Sequence, residues 1–235
     1  MFAIPRLALA ALLAAALCAG CATPAPPMAA TPQIPGDVSN AAWAQDMERF
    51  AAEDAAKPPP KGAVLFVGSS SIRFWTTLAQ DFPDVATINR GFGGSEVRDS
   101  TWYADRIVVP YAPRQVVFYA GDNDINSGRS PQQVRDDFVA FVQRVRRDLP
   151  KTRIAVLSIK PSLSRIAQLP AQREANALVR EAAAQLRNVD FIDVATPMLD
   201  ASGQPRAELF GPDGLHMNRS GYELWRGIVA PYLEK

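Results

Sequence analysis

From Lys61 to the C-terminus, short apolar runs alternate with longer amphipathic ones. Ala63 to Val67, Val85 to Ile88, Val116 to Tyr119, Ile154 to Ile159 and Val189 to Val194 are near-continuously apolar, the pattern of strands buried on both faces. Helical spacing fills the intervals, at Phe74 to Phe82, Glu96 to Val109, Pro131 to Leu149 and Pro170 to Leu186, with a last helix over Ser220 to Leu233. A further helix is expected ahead of the first strand, capped by Ser39 and running to about Ala56. Trp43, Met47 and Phe50 share one of its faces, and Pro58-Pro59-Pro60 ends it. Buried strands separated by helices predict an α/β fold. The expected form is a three-layer α/β/α sandwich around a five-stranded parallel sheet, in flavodoxin-like strand order.

The N-terminus follows another pattern. Arg6 precedes an apolar run of Leu and Ala from Leu7 to Leu17, too short to span a bilayer, so residues 1–20 read as a secretory signal. Ala19 and Gly20 ahead of Cys21 resemble a bacterial lipobox, although Cys18 stands where Leu is usual. That resemblance implies a lipidated Cys21 as mature N-terminus and membrane anchor; a plain signal peptide cut nearby is the alternative. Either reading places the protein in the cell envelope or periplasm. Residues 21–36, rich in Pro, Ala and Thr, are expected to form a disordered tether. Residues 37–235 are the expected folded domain.

Charge and cysteine usage narrow the chemistry. Lys+Arg number 25 against 24 Asp+Glu, so no bulk field draws in nucleic acid, and nucleic-acid binding is not expected. Both cysteines, Cys18 and Cys21, precede the domain, which excludes a disulfide, a thiol nucleophile or a thiolate metal site from it. His216 is the single histidine, so Asp213 and His216 lack the partner that a usual zinc set needs. No metal and no cofactor are expected.

In an open parallel sheet a site forms outside the carboxyl ends of the strands, where four polar or glycine-rich loops fall. Gly68-Ser69-Ser70-Ser71 follows the first strand. There a serine hydroxyl can point outward, or the serines can simply cap the next helix. Asn89-Arg90-Gly91-Phe92-Gly93-Gly94 follows the second strand. It fails the dinucleotide fingerprint because Glu96 occupies the last glycine position; it can bring a backbone N–H close to a ligand, or merely make a tight turn. Gly121-Asp122-Asn123-Asp124 follows the third strand and offers Asn123, a neutral donor suited to an oxyanion, or a turn-forming Asn. Asp213-Gly214-Leu215-His216 precedes the last helix. A carboxylate three residues before an imidazole can hold one ring nitrogen while the other faces a nucleophile.

Together, in this order and at this spacing, the four loops resemble the Ser, Gly, Asn and His blocks of the SGNH hydrolases, the GDSL-type esterase superfamily, from about Lys61 to the C-terminus. The resemblance implies Ser70 as nucleophile, Asp213 and His216 as its partners, and an oxyanion hole from Ser70, Gly94 (rather than Gly91) and Asn123. Ser69 replaces the usual Asp of the nucleophile turn, a residue outside the family's triad. The run Gly-Ser-Ser-Ser-Ile-Arg-x-Trp resembles the branch of platelet-activating-factor acetylhydrolase subunits and carbohydrate acetylesterases. Arg73 and Trp75 are accordingly candidates for the acyl pocket, with Trp75 alternatively core. Lys160 and Arg165, after the fourth strand, are candidate substrate-lining cations or a solvated loop.

The implied function is ester hydrolysis through an acyl-enzyme on short-chain esters, acetyl foremost, carried by a carbohydrate or a lysophospholipid. Two alternatives differ in class: a non-catalytic envelope protein binding carbohydrate in the same cleft, and an acyltransferase using the same Ser-His-Asp site.

Overall fold

The computed structural model describes Met1 and residues 41–234. The expected signal segment, Cys21, the tether and the Ser39 cap lie outside the described residues. In chain order the elements are α1 (Ala41–Ala56), β1 (Val64–Gly68), α2 (Ser70–Arg73), α3 (Leu78–Asp81) and β2 (Thr87–Gly91). Then come α4 (Val97–Trp102), α5 (Ala104–Ile107), β3 (Gln115–Tyr119), α6 (Asp122–Asn126) and α7 (Pro131–Asp148). The chain continues through β4 (Arg153–Leu157), α8 (Leu169–Gln185), β5 (Val189–Ile192) and α9 (Arg219–Val229).

All strand pairs are parallel and the order is β2-β1-β3-β4-β5, the expected flavodoxin-like arrangement. Strand periodicity builds the layers, because successive side chains point to opposite faces. Leu65, Val67, Val116, Phe118, Ile154 and Val156 pack on one side against α1, α7 and α8, through Met47, Phe138, Val142 and Val179. Val64, Phe66, Val117, Tyr119, Ala155 and Leu157 pack on the other against Ile72, Trp75, Tyr222 and Trp225. Helix ends are set by local chemistry. α7 starts at a capping box in which Ser130 and Gln133 bond reciprocally, with Pro131 at the first helical position and Arg146 and Arg147 in the last turn. Asn218 caps α9 by accepting the Gly221 N–H.

Three expected elements shift. The second strand is Thr87–Gly91 rather than Val85 to Ile88, because an edge strand needs no apolar run when its polar side chains find partners. Buried Arg90 bonds the Tyr111 hydroxyl and pairs with Asp54. Of the helix expected over Phe74 to Phe82 only Leu78–Asp81 is helical, as α3, while α2 forms earlier, over Ser70–Arg73; the helix expected over Glu96 to Val109 breaks at Tyr103 into α4 and α5. Gly121-Asp122-Asn123-Asp124, read as a loop, is the start of α6.

Candidate active site

β1 leads straight into the nucleophile turn. Gly68 has φ +138°, and a Cβ there would lie 1.8 Å from the Tyr119 carbonyl oxygen, so only glycine lets β1 and β3 approach this closely. Ser69 N–H donates to that same oxygen at 2.9 Å. Ser70 follows as the first residue of α2, half-buried. Ser69 holds the cap position but makes no side-chain cap bond, so the capping role open to the serine run is not realised there.

The last loop brings His216 onto Ser70. Nε2 of His216 is 3.0 Å from Ser70 Oγ, and Nδ1 is 2.6 Å from Asp213 Oδ2. Asp213 Oδ1 accepts the backbone N–H groups of Leu215, at 2.9 Å, and His216, at 3.0 Å, across a turn in which Gly214 takes φ +61°. These backbone bonds and the imidazole hold the Asp213 carboxyl down to about 2, although its side chain is half exposed. Facing an ionised carboxylate, Nδ1 carries the proton, which leaves Nε2 bare to accept the Ser70 hydroxyl proton. Phe74 stands edge-to-face on the imidazole, ring centres 4.9 Å apart.

The two remaining loops are tied to this pair. Phe92 N–H donates to the Gly68 carbonyl, and Gly91 packs so tightly on α2 that a Cβ would fall 2.2 Å from the Arg73 nitrogen. Gly94, at φ +79°, is exposed, with open space where a side chain would stand. The Asn123 amide donates from Nδ2 to the Ser95 carbonyl at 3.0 Å, while its Oδ1 accepts from Arg165 Nη2 at 3.1 Å. Asp124, buried, accepts the Val97 N–H at 3.0 Å, and burial pushes its carboxyl up to about 8. The residues expected from the four loops thus meet at the carboxyl end of the sheet: Ser70, Asp213 and His216 in direct contact, Gly94 and Asn123 on two loops joined through Ser95.

This assembly coincides with a sequence signature. A family model described as GDSL-like lipase/acylhydrolase matches residues 66–224. The chain belongs to the GDSL-like lipase/acylhydrolase family. No curated protein sequence matches it. Among solved structures, this acylhydrolase is similar to a protein provisionally named a platelet activating factor, from Streptococcus pneumonia. Identity is 23%, 82% of this chain and 93% of that one are covered, and the TM-score is 0.73. It is also similar to a GDSL-like lipase from Bacteroides thetaiotaomicron VPI-5482, at 20% identity, 79% and 96% coverage and TM-score 0.67. A carbohydrate esterase family 3 protein from Talaromyces cellulolyticus aligns at 17% identity, 72% and 94% coverage and TM-score 0.58. At such identities these structures establish the fold, and the family carries the reaction class, ester hydrolysis.

Three of the four expected substrate-lining residues of the acylhydrolase are corrected. Trp75 is 1% exposed; its Nε1 donates to Asp81 Oδ2 at 2.7 Å, in the core with Phe66, Phe82 and Trp225, because the turn after α2 swings it inward. Lys160 is also 1% exposed, its ammonium drawn inside by the Leu215 carbonyl at 2.9 Å and by Asp122. Arg165 is mostly buried and bonds Asn123 rather than lining an open surface. Arg73 stays half exposed, 3.6 Å from Asp46. It borders a groove of about 950 Å³ along the β2 edge whose walls include Phe50, Phe74 and Ile88 but none of the Ser70, Asp213 and His216 set. Phe74 and Asp122 escaped the sequence reading. Their only signal was proximity, four residues after Ser70 and one before Asn123.

Proposed function

We propose that this chain is a serine ester hydrolase acting through an acyl-enzyme on short-chain, acetyl-type esters. The observation that carries the reading is the unbroken line Asp213 Oδ2, His216 Nδ1, His216 Nε2, Ser70 Oγ, with contacts of 2.6 and 3.0 Å. Ser70 Oγ attacks the ester carbonyl while His216 Nε2 takes its proton, and Asp213 stabilises the imidazolium that forms. The N–H groups of Ser70 and Gly94, with the second hydrogen on Asn123 Nδ2, receive the tetrahedral oxyanion. Losing one such donor typically costs about 2.7–4 kcal/mol of transition-state stabilisation. His216 then protonates the leaving alcohol, and deprotonates the water that releases the acid and frees Ser70.

The open setting of the site, with Gly94 exposed and Asp213 half exposed, suits a small acyl group on a bulky alcohol. An O-acetylated carbohydrate is the substrate placed first and a lysophospholipid second. The apolar run ahead of Cys21 supports a place in the cell envelope, with a lipid on Cys21 as the anchor.

The deciding measurement is intact mass after incubation with a fluorophosphonate, comparing the wild type with Ser70→Ala. One adduct on the wild type alone is the expected result. A folded wild type that stays unmodified would move a carbohydrate-binding role to the front. Release of acetate from acetylated sugars, with and without sugar acceptors, then separates hydrolase from transferase.

A further inference from the structure

The geometry points to Asp122, Lys160 and Arg165 as positioning residues that tie the Asn123 amide to the His216 loop. Asp122 is the first residue of α6, and the two cations come from the segment between β4 and α8. All three side chains are buried, exposed by 5%, 1% and 13% respectively. Asp122 Oδ2 lies 3.2 Å from Arg165 Nη1 and 3.8 Å from Lys160 Nζ, so one carboxylate oxygen joins both cations.

Each cation reaches onward to one half of the site. Arg165 Nη2 donates to Asn123 Oδ1 at 3.1 Å, and Lys160 Nζ donates to the carbonyl of Leu215, the residue before His216, at 2.9 Å. Lys160 also stands 5.9 Å over the Phe210 ring, at the start of the same loop. Burying charges is costly, and apolar side chains would fill this space at lower cost, so stability alone gives no reason for the set.

The Asn123 contacts admit one amide orientation. Turned over, Nδ2 would face the Arg165 guanidinium and Oδ1 would face the Ser95 carbonyl, setting donor against donor and acceptor against acceptor. As placed, one Nδ2 hydrogen goes to Ser95 and the other is free for a ligand. Pull from the guanidinium on Oδ1 also polarises the amide, which strengthens Nδ2–H as a donor. The Arg165 guanidinium also keeps a permanent positive charge on the Oδ1 side of that amide. The inference rests on the esterase reading only where it treats Asn123 as an oxyanion donor.

The test is a double-mutant cycle between Arg165→Met and Asn123→Ala, read as kcat and KM on p-nitrophenyl acetate. Arg165→Met should lower kcat by about 10–100-fold with KM nearly unchanged, and should cost little once Asn123 is already Ala. Arg165→Lys, which keeps a donor for Oδ1, should recover part of the loss. An equal loss in the Asn123→Ala background, or a rise in KM with kcat intact, would overturn the inference. A second readout needs no turnover: the Asn123 side-chain amide signals in NMR, assigned by their absence in Asn123→Ala. Their solvent exchange should quicken by on the order of tenfold in Arg165→Met, or in Arg165→Gln if the first variant does not fold. Unchanged exchange would refute the positioning role even if the wild type hydrolysed no ester.

Discussion

Asp213 grips His216 at two points, its Oδ2 2.6 Å from the ring Nδ1 and its Oδ1 accepting the His216 backbone N–H at 3.0 Å. Asp213→Asn separates these functions. The amide oxygen can still hold the turn, but an NH₂ facing Nδ1 moves the imidazole proton to Nε2, which then donates to Ser70 instead of accepting from it. The expected outcome is a fall in kcat on the order of 10⁴-fold, with an unchanged circular dichroism spectrum. Retention of more than a tenth of the activity would show that the tautomer is held some other way.

The two loop glycines should respond to alanine to different degrees. At Gly91 the new methyl meets the Arg73 nitrogen at 2.2 Å, backbone that cannot swing aside, so Gly91→Ala should destabilise by more than about 3 kcal/mol in urea unfolding. At Gly94 the methyl meets open space and only the φ of +79° opposes it, a cost of roughly 1–2 kcal/mol. Gly94→Ala should therefore stay folded at room temperature while kcat falls, as the strained backbone turns its N–H away.

Trp75 is a core residue, so Trp75→Phe should lower stability without touching substrate affinity. The indole N–H to Asp81, which also binds Arg219 at 2.7 Å, is lost together with packing on Phe66 and Trp225. A loss of about 1–3 kcal/mol is expected, with KM for p-nitrophenyl acetate within twofold of wild type. A raised KM at unchanged stability would return Trp75 to the acyl pocket.

Asp124 predicts a pH dependence of stability. Its carboxyl, pushed up to about 8 by burial, keeps its proton in the folded chain while the unfolded chain releases it near pH 4. The folded state therefore binds more protons between these values, so stability falls as pH rises through that window. Asn in its place keeps the acceptor for Val97 and has no proton to lose. Relative to wild type, Asp124→Asn should gain a few kcal/mol in urea unfolding between pH 5 and pH 8. Parallel pH profiles for the two proteins would show that Asp124 is ionised in the fold.

Sequence alone determined the architecture and the candidate positions for chemistry. Alternating apolar strands and amphipathic helices leave a covered parallel sheet as the arrangement that buries every apolar face. The topology then puts the four loops at the carboxyl ends of the strands, with Ser70, Gly94, Asn123, Asp213 and His216 on them. The strands, helices and loop positions follow from local patterns of a few residues, whereas the choice of Ser70, Gly94, Asn123, Asp213 and His216 on those loops came with the family resemblance. Tertiary structure alone decided which side chains go inside. Lys160 looked like a rim cation because cations are seldom buried, yet Asp122 and the Leu215 carbonyl, dozens of residues away in the chain, supply partners that make burial tolerable. Trp75 turned inward for a similar reason, since Asp81, itself held by Arg219, accepts the indole N–H. The 3.0 Å between His216 Nε2 and Ser70 Oγ likewise belongs to the fold, because it joins segments that meet only when α2 and the loop before α9 pack against the same sheet.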